Sequence, residues 1–488
     1  MATLETLKFD NTYARLPEAF YRRVQPTPLR SPYLVSFNSA AAELINLDAG
    51  EASKPEFIEY FTGNKLLPGS EPLAAIYAGH QFGSFVPQLG DGRAILLGET
   101  INSAGQRCEI QLKGAGITPF SRMGDGRAVL RSTIREYLCS EAMHSLGIPT
   151  TRALCITGSD EPVFRETVET SAVLTRLAPT HVRFGTFELF FYRQQYERVR
   201  ELADYVIANH YPHLAEAEDK YLQFLREVIN RTARLIAQWQ SVGFAHGVMN
   251  TDNMSVIGLT IDYGPFGFLD EYEAGFVCNH SDYGGRYAFN QQPGVALWNL
   301  SRFAQTLIPL VELEAAVEAL NEYHEIFAQA YGELMRQKLG LQTEQTGDEV
   351  LIVDLFKILE TNRVDYTLFF RRLGDFKTKA GEKNDVLQGM FVNPADFDDW
   401  SNGYRTRLAK EESSDEQRRE LMNRVNPKYV LRNHIAQAAI EKAQAGDYTE
   451  TNTLLEVLQK PFDEQPEMER FAEPPPVGGR RIAVSCSS

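Results

Sequence analysis

The stretch His246-Gly247-Val248-Met249-Asn250-Thr251-Asp252-Asn253, followed by Met254 to Ile261 and then Asp262-Tyr263-Gly264, constrains this chain more than any other. It reads as a loop, a short β-hairpin and a second loop, with carboxylate and amide side chains at both ends of the hairpin. Asn253 and Asp262 offer the hard oxygen ligands that Mg²⁺ takes, with phosphates and water completing the shell. An Asx-turn at each end of a hairpin uses the same residue types and stays open as the structural alternative. Asp252 is the one carboxylate inside the first loop, which makes it the candidate general base.

The organisation around this stretch is β-rich before it and helix-rich after it. Pro26, Pro28 and Pro32 break the first seventy residues into short pieces. Phe85 to Glu99 has strand–turn–strand character, with Gly90-Asp91-Gly92-Arg93 as the turn. The strand Cys108 to Lys113 alternates its side chains and carries Lys113 at its far end. A second tetrapeptide of the same kind, Gly124-Asp125-Gly126-Arg127, leads into a helix whose apolar positions are Leu130, Ile134 and Leu138, with Gly147 suited to its C′ position. Thr170 to Leu177 reads as a strand. From Tyr221 an amphipathic helix buries Leu222, Leu225, Val228, Ile229, Ile236 and Trp239 and ends at Gly243. A Gly- and Tyr-rich segment to Pro293 is too polar for core and long enough to be a functional loop. Helix resumes through Trp298, Phe303 and Leu307, interrupted later by loops at 340–349 and 376–386 and by the charged run 410–420. The expected architecture is α+β and two-lobed: an extension over 1–70, a β-rich nucleotide-binding lobe over 71–178, a helical lobe with the catalytic and metal loops over 179–460, and a tail over 461–488 that carries Cys486.

Composition narrows the partners. A chain of 488 residues exceeds one ordinary hydrophobic core. The net charge of −16 disfavours nucleic acid, whose phosphates attract basic surfaces. No apolar run is long enough for a bilayer. Met1 to Val24 mixes Glu5, Asp10 and Glu18 with its apolar residues, unlike a signal or transit peptide, so the cytoplasm is the expected compartment. Nothing requires more than a monomer. Five cysteines without a C-x-x-C pair argue against zinc and against a disulfide framework. Cys108, Cys139 and Cys155 read as buried thiols; Cys278 and Cys486 stand in polar or small-residue surroundings that suit exposure.

Protein kinases build their catalytic floor from an H-R-D-x-x-x-x-N loop and a D-F-G loop. Here the His, the Asn and the D-x-G fall in place, while the position of the usual catalytic Asp is Val248. Lys113 on a strand and Glu136 on the following helix match the kinase Lys–Glu pair that grips phosphate. Singly, Lys113 is also a plausible surface lysine, and Thr133-x-x-Glu136 a capping box. The glycines of Gly90-Asp91-Gly92-Arg93 let backbone approach a phosphate, although the third glycine of a kinase loop is missing. Arg122, Arg127, Arg131 and Arg135 crowd one short stretch and Arg176 and Arg183 form another basic pair, which suggests an anion. For Arg131 and Arg135 a solvated helix face is the preferred explanation.

Assembled, these motifs resemble the selenoprotein O family, over essentially the whole length. The resemblance rests on Gly90-Asp91-Gly92-Arg93, Glu109-Ile110-Gln111-Leu112-Lys113-Gly114, Gly124-Asp125-Gly126-Arg127, the His246–Asn253 loop, Asp262-Tyr263-Gly264 and the Cys486-Ser487-Ser488 end. It implies a protein-kinase-like fold and transfer of AMP from ATP to Ser, Thr or Tyr hydroxyls of proteins, with pyrophosphate leaving and Mg²⁺ or Mn²⁺ required. It further implies that ATP lies inverted relative to kinases. Carried over, Lys113, Asp125, Arg176 and Arg183 hold the γ-phosphate, with Gly90, Gly92, Arg93 and Gly126 in the nucleotide-binding set. Asn253 and Asp262 hold the metal, Glu136 supports Lys113, and Asp252 is the base. Cys486 stands where animal members carry selenocysteine, which points to a bacterial, cysteine-using member. The family's association with redox control makes Cys278 and Cys486 candidates for a reversible disulfide, against two unconnected thiols. The rival functions are a protein kinase transferring the γ-phosphate and a nucleotide-binding pseudokinase scaffold.

Overall fold

The computed structural model describes residues 1–379, 381–476 and 482. Its strands, in chain order, are β1 (Tyr21–Arg23), β2 (Tyr33–Phe37), β3 (Leu73–Ala75), β4 (Gly79–Gln81), β5 (Ser84–Val86), β6 (Ala94–Ile101), β7 (Arg107–Lys113), β8 (Ala128–Val129), β9 (Arg152–Phe164), β10 (Val168–Ala178), β11 (Phe244–Ala245) and β12 (Gly267–Phe268). Among the described residues the principal sheet is antiparallel and runs β1-β3-β6-β7-β10-β9-β2, with β8 beside β10. The α+β class is therefore observed.

The central strands are buried on both faces, so their side chains are apolar in both phases of the period-2 alternation. On β6, Ile95 and Leu97 join Ile110, Leu112, Phe57, Tyr60 and Phe61 in one core. Leu96 faces the other way, into the core that holds Ile134, Tyr137 and Leu138 of the helix Leu130–Ser145. The first seventy residues thus cover one face of the sheet and also supply both of its edges, β1 and β2. The second core continues into the helical part through Leu225, Val228, Ile229, Ile236 and Trp239 of the helix Lys220–Ser241, the stripe expected from sequence. A third core, built on Leu355, Phe369, Phe370, Trp400 and Tyr404, lies among the later helices. No helix among the described residues is long and apolar enough to cross a membrane.

Four expectations are corrected. Met254–Ile261 is no hairpin: Ser255 bridges Arg183 and Thr260 bridges Thr150, so the segment satisfies its backbone on two distant partners. Phe85–Glu99 holds the two expected strands, β5 and β6, but they are not partners across the Gly90–Arg93 loop: β5 pairs with β4 while β6 pairs with β3 and β7. Arg135 is 5% exposed rather than solvated. Its guanidinium donates to the Phe266 carbonyl at 2.9 Å and to Asn433 at 3.2 Å and lies over the Phe266 ring. Arg131, half-buried, is clamped by Glu169. Finally, the charged run 410–420 is not wholly a break, since the helix Asp415–Asn423 begins inside it.

Candidate active site

One cleft of about 770 Å³ gathers Gly90, Gly92, Arg93, Lys113, Asp125, Gly126, Arg176, Arg183, Asp252, Asn253 and Asp262. Lys113 ends the central strand β7, between Ala94 of β6 and Leu174 of β10, and Arg176 stands on β10 opposite Gln111. Glu136 projects from the helix Leu130–Ser145 behind them and is 1% exposed. It binds Lys113 Nζ through one oxygen and Arg176 Nε at 2.5 Å through the other. The helix starts at Leu130 with Val129 as its N-cap, so Thr133 and Glu136 do not form the capping box. Burial lowers the Lys113 pKa to about 8, with Glu136 opposing the shift.

The chain of charge continues to Asp262. Arg176 meets its Oδ1 at 2.7 Å and Arg183 meets its Oδ2. Burial acts to raise the Asp262 pKa, but Arg183, Arg176 and Lys113 hold it well below the usual carboxylate range. Its backbone is left-handed, φ +58°, an uncommon conformation that Asp tolerates better than most residues. Arg183 also donates to the Asp252 carbonyl at 2.7 Å and lies over the Tyr77 ring. His246, stacked on Trp239, donates through Nε2–H to the Ile261 carbonyl at 2.9 Å and so ties the first loop to the residue before Asp262.

Asp252 sits on a short turn, Thr251–Asn253, clamped from above by the β4–β5 hairpin. The His80 backbone N–H donates to Thr251 Oγ1, which donates in turn to Glu188. Gln81 Nε2 donates to Asp252 Oδ2 at 3.1 Å, while Oδ1 is buried without a hydrogen-bond partner among the described residues. Burial pushes the Asp252 carboxyl up to about 7, against the Gln81 hydrogen bond. Gly79 is required there: a Cβ on it would stand 2.4 Å from Asp252 Oδ1. Asn253 donates its Nδ2 to the Val248 carbonyl at 3.0 Å, which leaves Oδ1 as the amide's ligand atom.

The glycines have a simpler cause than phosphate contact. A Cβ at Gly90 would meet the Phe120 ring at 2.5 Å, one at Gly92 the Phe120 carbonyl at 2.9 Å, and one at Gly126 the Gly116 carbonyl at 2.1 Å. Asp125 is engaged by Arg165, at 2.8 and 2.9 Å. Arg93 forms no ion pair among the described residues. Seven cations and four carboxylates line the cleft, an excess of positive charge in a protein of net charge −16. Such a cleft selects an anion.

A divalent cation fits this donor set in one way. No three His, Cys, Asp or Glu side chains converge as a preformed cation site among the described residues. Asn253 and Asp262, the latter with its oxygens shared with Arg176 and Arg183, would supply two hard oxygens, the number that Mg²⁺ takes when substrate phosphates and water provide the rest.

Sequence reasoning missed Tyr77, Gly79, Gln81 and Arg165. Arg165 carried no signal, being brought to Asp125 by the β9–β10 turn; Gln81 was marked only by Gly79 and Gly83 on either side of it. Cys278 is 7% exposed, its Sγ donating to the Ala245 carbonyl at 3.5 Å, which corrects the expected exposure. Cys108, Cys139 and Cys155 are buried as expected. Cys486 lies outside the described residues.

The family model described as protein adenylyltransferase SelO matches residues 3–459. Proteins named protein nucleotidyltransferase YdiU are similar over the full length of both chains: 57% identical in Thiobacillus denitrificans and 57% in Myxococcus xanthus. The similar protein of the same name in Pseudomonas fluorescens is 51% identical, again across both whole chains.

Proposed function

This chain belongs to the protein adenylyltransferase SelO family, and we propose how its cleft performs that family's reaction on ATP. A hydroxyl oxygen of a protein Ser, Thr or Tyr attacks the α-phosphorus. The bond from that phosphorus to the bridging oxygen breaks, pyrophosphate leaves, and the hydroxyl proton passes to Asp252. Lys113, Arg176, Arg183 and Arg93 hold the terminal phosphates, Asp125 acts through Arg165, and Glu136 fixes Lys113 and Arg176. Fixed guanidiniums around the departing pyrophosphate stabilise the charge that develops there, at no cost in reorganisation. Asn253 and Asp262 would hold Mg²⁺ or Mn²⁺, which would supply charge neutralisation to the phosphates.

The single observation that carries this reading is the side-by-side placement of Asp252 and the Arg176–Asp262–Arg183 array, joined by Arg183. A base whose backbone carbonyl is held by a guanidinium of that cluster, while its carboxylate stays unpaired with any cation, suits attack at the α-phosphorus with the terminal phosphates parked among the arginines. The strand-borne Lys113 paired with a helical Glu136, and the Asn253 and Asp262 positions, support a protein-kinase-like arrangement. A Cys278–Cys486 disulfide belongs to the same proposal and requires the cover over Cys278 to open; absence of that linked peptide from the oxidised, non-reduced protein by mass spectrometry removes it.

ATP labelled at the α- or the γ-phosphate, with Mg²⁺ or Mn²⁺ and a protein acceptor, tests the reaction. Label on protein from the α position is expected. Label from γ alone makes the chain a kinase, and label from neither makes it a scaffold.

A further inference from the structure

A second cavity, of about 890 Å³, shares no lining residue with the catalytic cleft. Its wall is formed by the beginning of β7, the end of β10, the helix Lys220–Ser241 and the segment Ile257–Gly258–Leu259. Four arginines and two histidines line it, and no Asp or Glu does. In a protein of net charge −16 that composition is unexpected on any account of a merely solvated groove.

The cations differ in what holds them. Arg152 is clamped by Glu141 at 2.8 and 2.9 Å, and Arg107 by Asp10 at 2.6 Å, with both carboxylates outside the lining. Arg231 meets Glu227 only at 3.4 Å, as a partly exposed pair of little strength. Arg234 is exposed, bonds Asn230 at 3.0 Å and forms no ion pair among the described residues. His210 Nε2 is buried with no hydrogen-bond partner among the described residues, an arrangement that costs free energy unless something supplies the bond. The rest of the lining includes the apolar Leu177, Leu235 and Ile257.

Two guanidiniums held only by weak contacts, Arg231 over the Tyr211 ring at 4.3 Å and Arg234 at the exposed rim, match a phosphate better than a monoanion, because each presents parallel N–H groups to a tetrahedral dianion. An apolar floor beside that cationic corner suits a ligand with a hydrophobic body. We propose that this cavity binds a small organic phosphate, its phosphate taken by Arg231, Arg234 and His210 and its apolar body seated on Leu177, Leu235 and Ile257. The floor is also the back of the active centre: Ile257, Gly258 and Leu259 belong to the segment that joins Asn253 to Asp262. A Cβ on Gly258 would stand 2.7 Å from Arg231 Cβ, so that segment and the cationic helix are in direct contact.

The test uses the full chain and 1-naphthyl phosphate, followed by naphthyl fluorescence, with α,β-methylene ATP and Mg²⁺ filling the catalytic cleft. One equivalent of probe is expected to bind. The affinity is expected to fall at least tenfold in Arg231→Ala/Arg234→Ala and in Arg234→Glu, the latter at an exposed position that folding does not depend on. 1-Naphthol and inorganic phosphate are each expected to bind at least tenfold more weakly than the probe. Unchanged affinity in both variants, complete displacement by α,β-methylene ATP, or equal binding of naphthol overturns the assignment.

Discussion

Asp262→Asn isolates the double duty of the residue at the centre of the charge array. Asp262 neutralises two guanidiniums that are 4% and 3% exposed, Arg176 and Arg183. In the variant Arg176 keeps Glu136 and Gln111, whereas Arg183 keeps no carboxylate, only the Asp252 and His181 carbonyls and the Tyr77 ring. Removing one member of a buried pair costs about 3–5 kcal/mol. Asp262 is 22% exposed, and an asparagine oxygen still accepts one hydrogen bond. The loss is therefore placed near the low end, about 3 kcal/mol, a sizeable part of an ordinary domain's stability. Thermal unfolding in chelator is expected several degrees below wild type. Pyrophosphate reverses the sign of the comparison. Without a metal, the wild-type carboxylate repels it, while in the variant it replaces the missing negative charge. Its affinity for the variant by calorimetry in chelator is then expected to rise at least tenfold. Metal-dependent AMP transfer is expected to fall by three orders of magnitude or more. A variant that melts with wild type and binds pyrophosphate no better refutes the idea that Asp262 serves as the internal counter-ion of the phosphate site.

Three other substitutions probe separate parts of the molecule. Gly79→Ala drives a methyl into Asp252 Oδ1, so turnover is expected to drop about 100-fold, the scale of misplaced general-base catalysis; ATP affinity measured by calorimetry should stay unchanged, and a parallel loss of both would refute the placement. Glu136→Gln unpairs Lys113 from Arg176 and is expected to raise KM for ATP more than it lowers kcat; an unaltered KM would refute its role in holding the two cations. Lys338, 4% exposed and lying over Phe370, has its pKa lowered by burial to about 7 from an ordinary 10.5. Between those values the unfolded chain holds a proton that the folded one has released, so this group's contribution to stability rises with pH from 7 toward 10.5. The gap is bounded by roughly 5 kcal/mol. Lys338→Met is accordingly expected to melt higher than wild type near pH 7, with the difference shrinking toward pH 10; a difference independent of pH would refute the assignment.

The residues that line the cleft were legible because their order along the chain reports their chemistry: a strand-end lysine, a helical glutamate, a loop with Asp252 and Asn253, then Asp262. What escaped was whatever depends on a partner far away in sequence. Met254–Ile261 has the composition of a hairpin, but its backbone bonds run to Arg183 and Thr150, and local pattern carries no trace of them. Arg135 occupies a polar position of its helix, and only the arrival of Phe266 and Asn433 turns that position inward. Cys278 stands among polar neighbours in a loop that nonetheless folds beneath the active-site turn. Conversely, the glycines of the two Gly-Asp-Gly-Arg stretches suggested phosphate contact, while Phe120 and Gly116 already explain why no side chain fits there.

The edge strands have a consequence for synthesis on the ribosome. β2 pairs with β9, Tyr33 with Gly158, so its partner is made about 125 residues later. At roughly 5–20 residues per second that interval is about 6–25 s. Throughout it the nascent chain exposes one strand without a neighbour and the apolar helices meant to cover a sheet not yet built. β1, β3, β6 and β7 are neighbours that can pair in the order in which they are made, whereas the β2 edge is left open until β9 and β10 follow. Slowing translation between residues 40 and 150 should lengthen the exposure of this segment to chaperones and proteases, and a strain in which that slowing leaves soluble yield unchanged would show that the early strands are protected by some other contact.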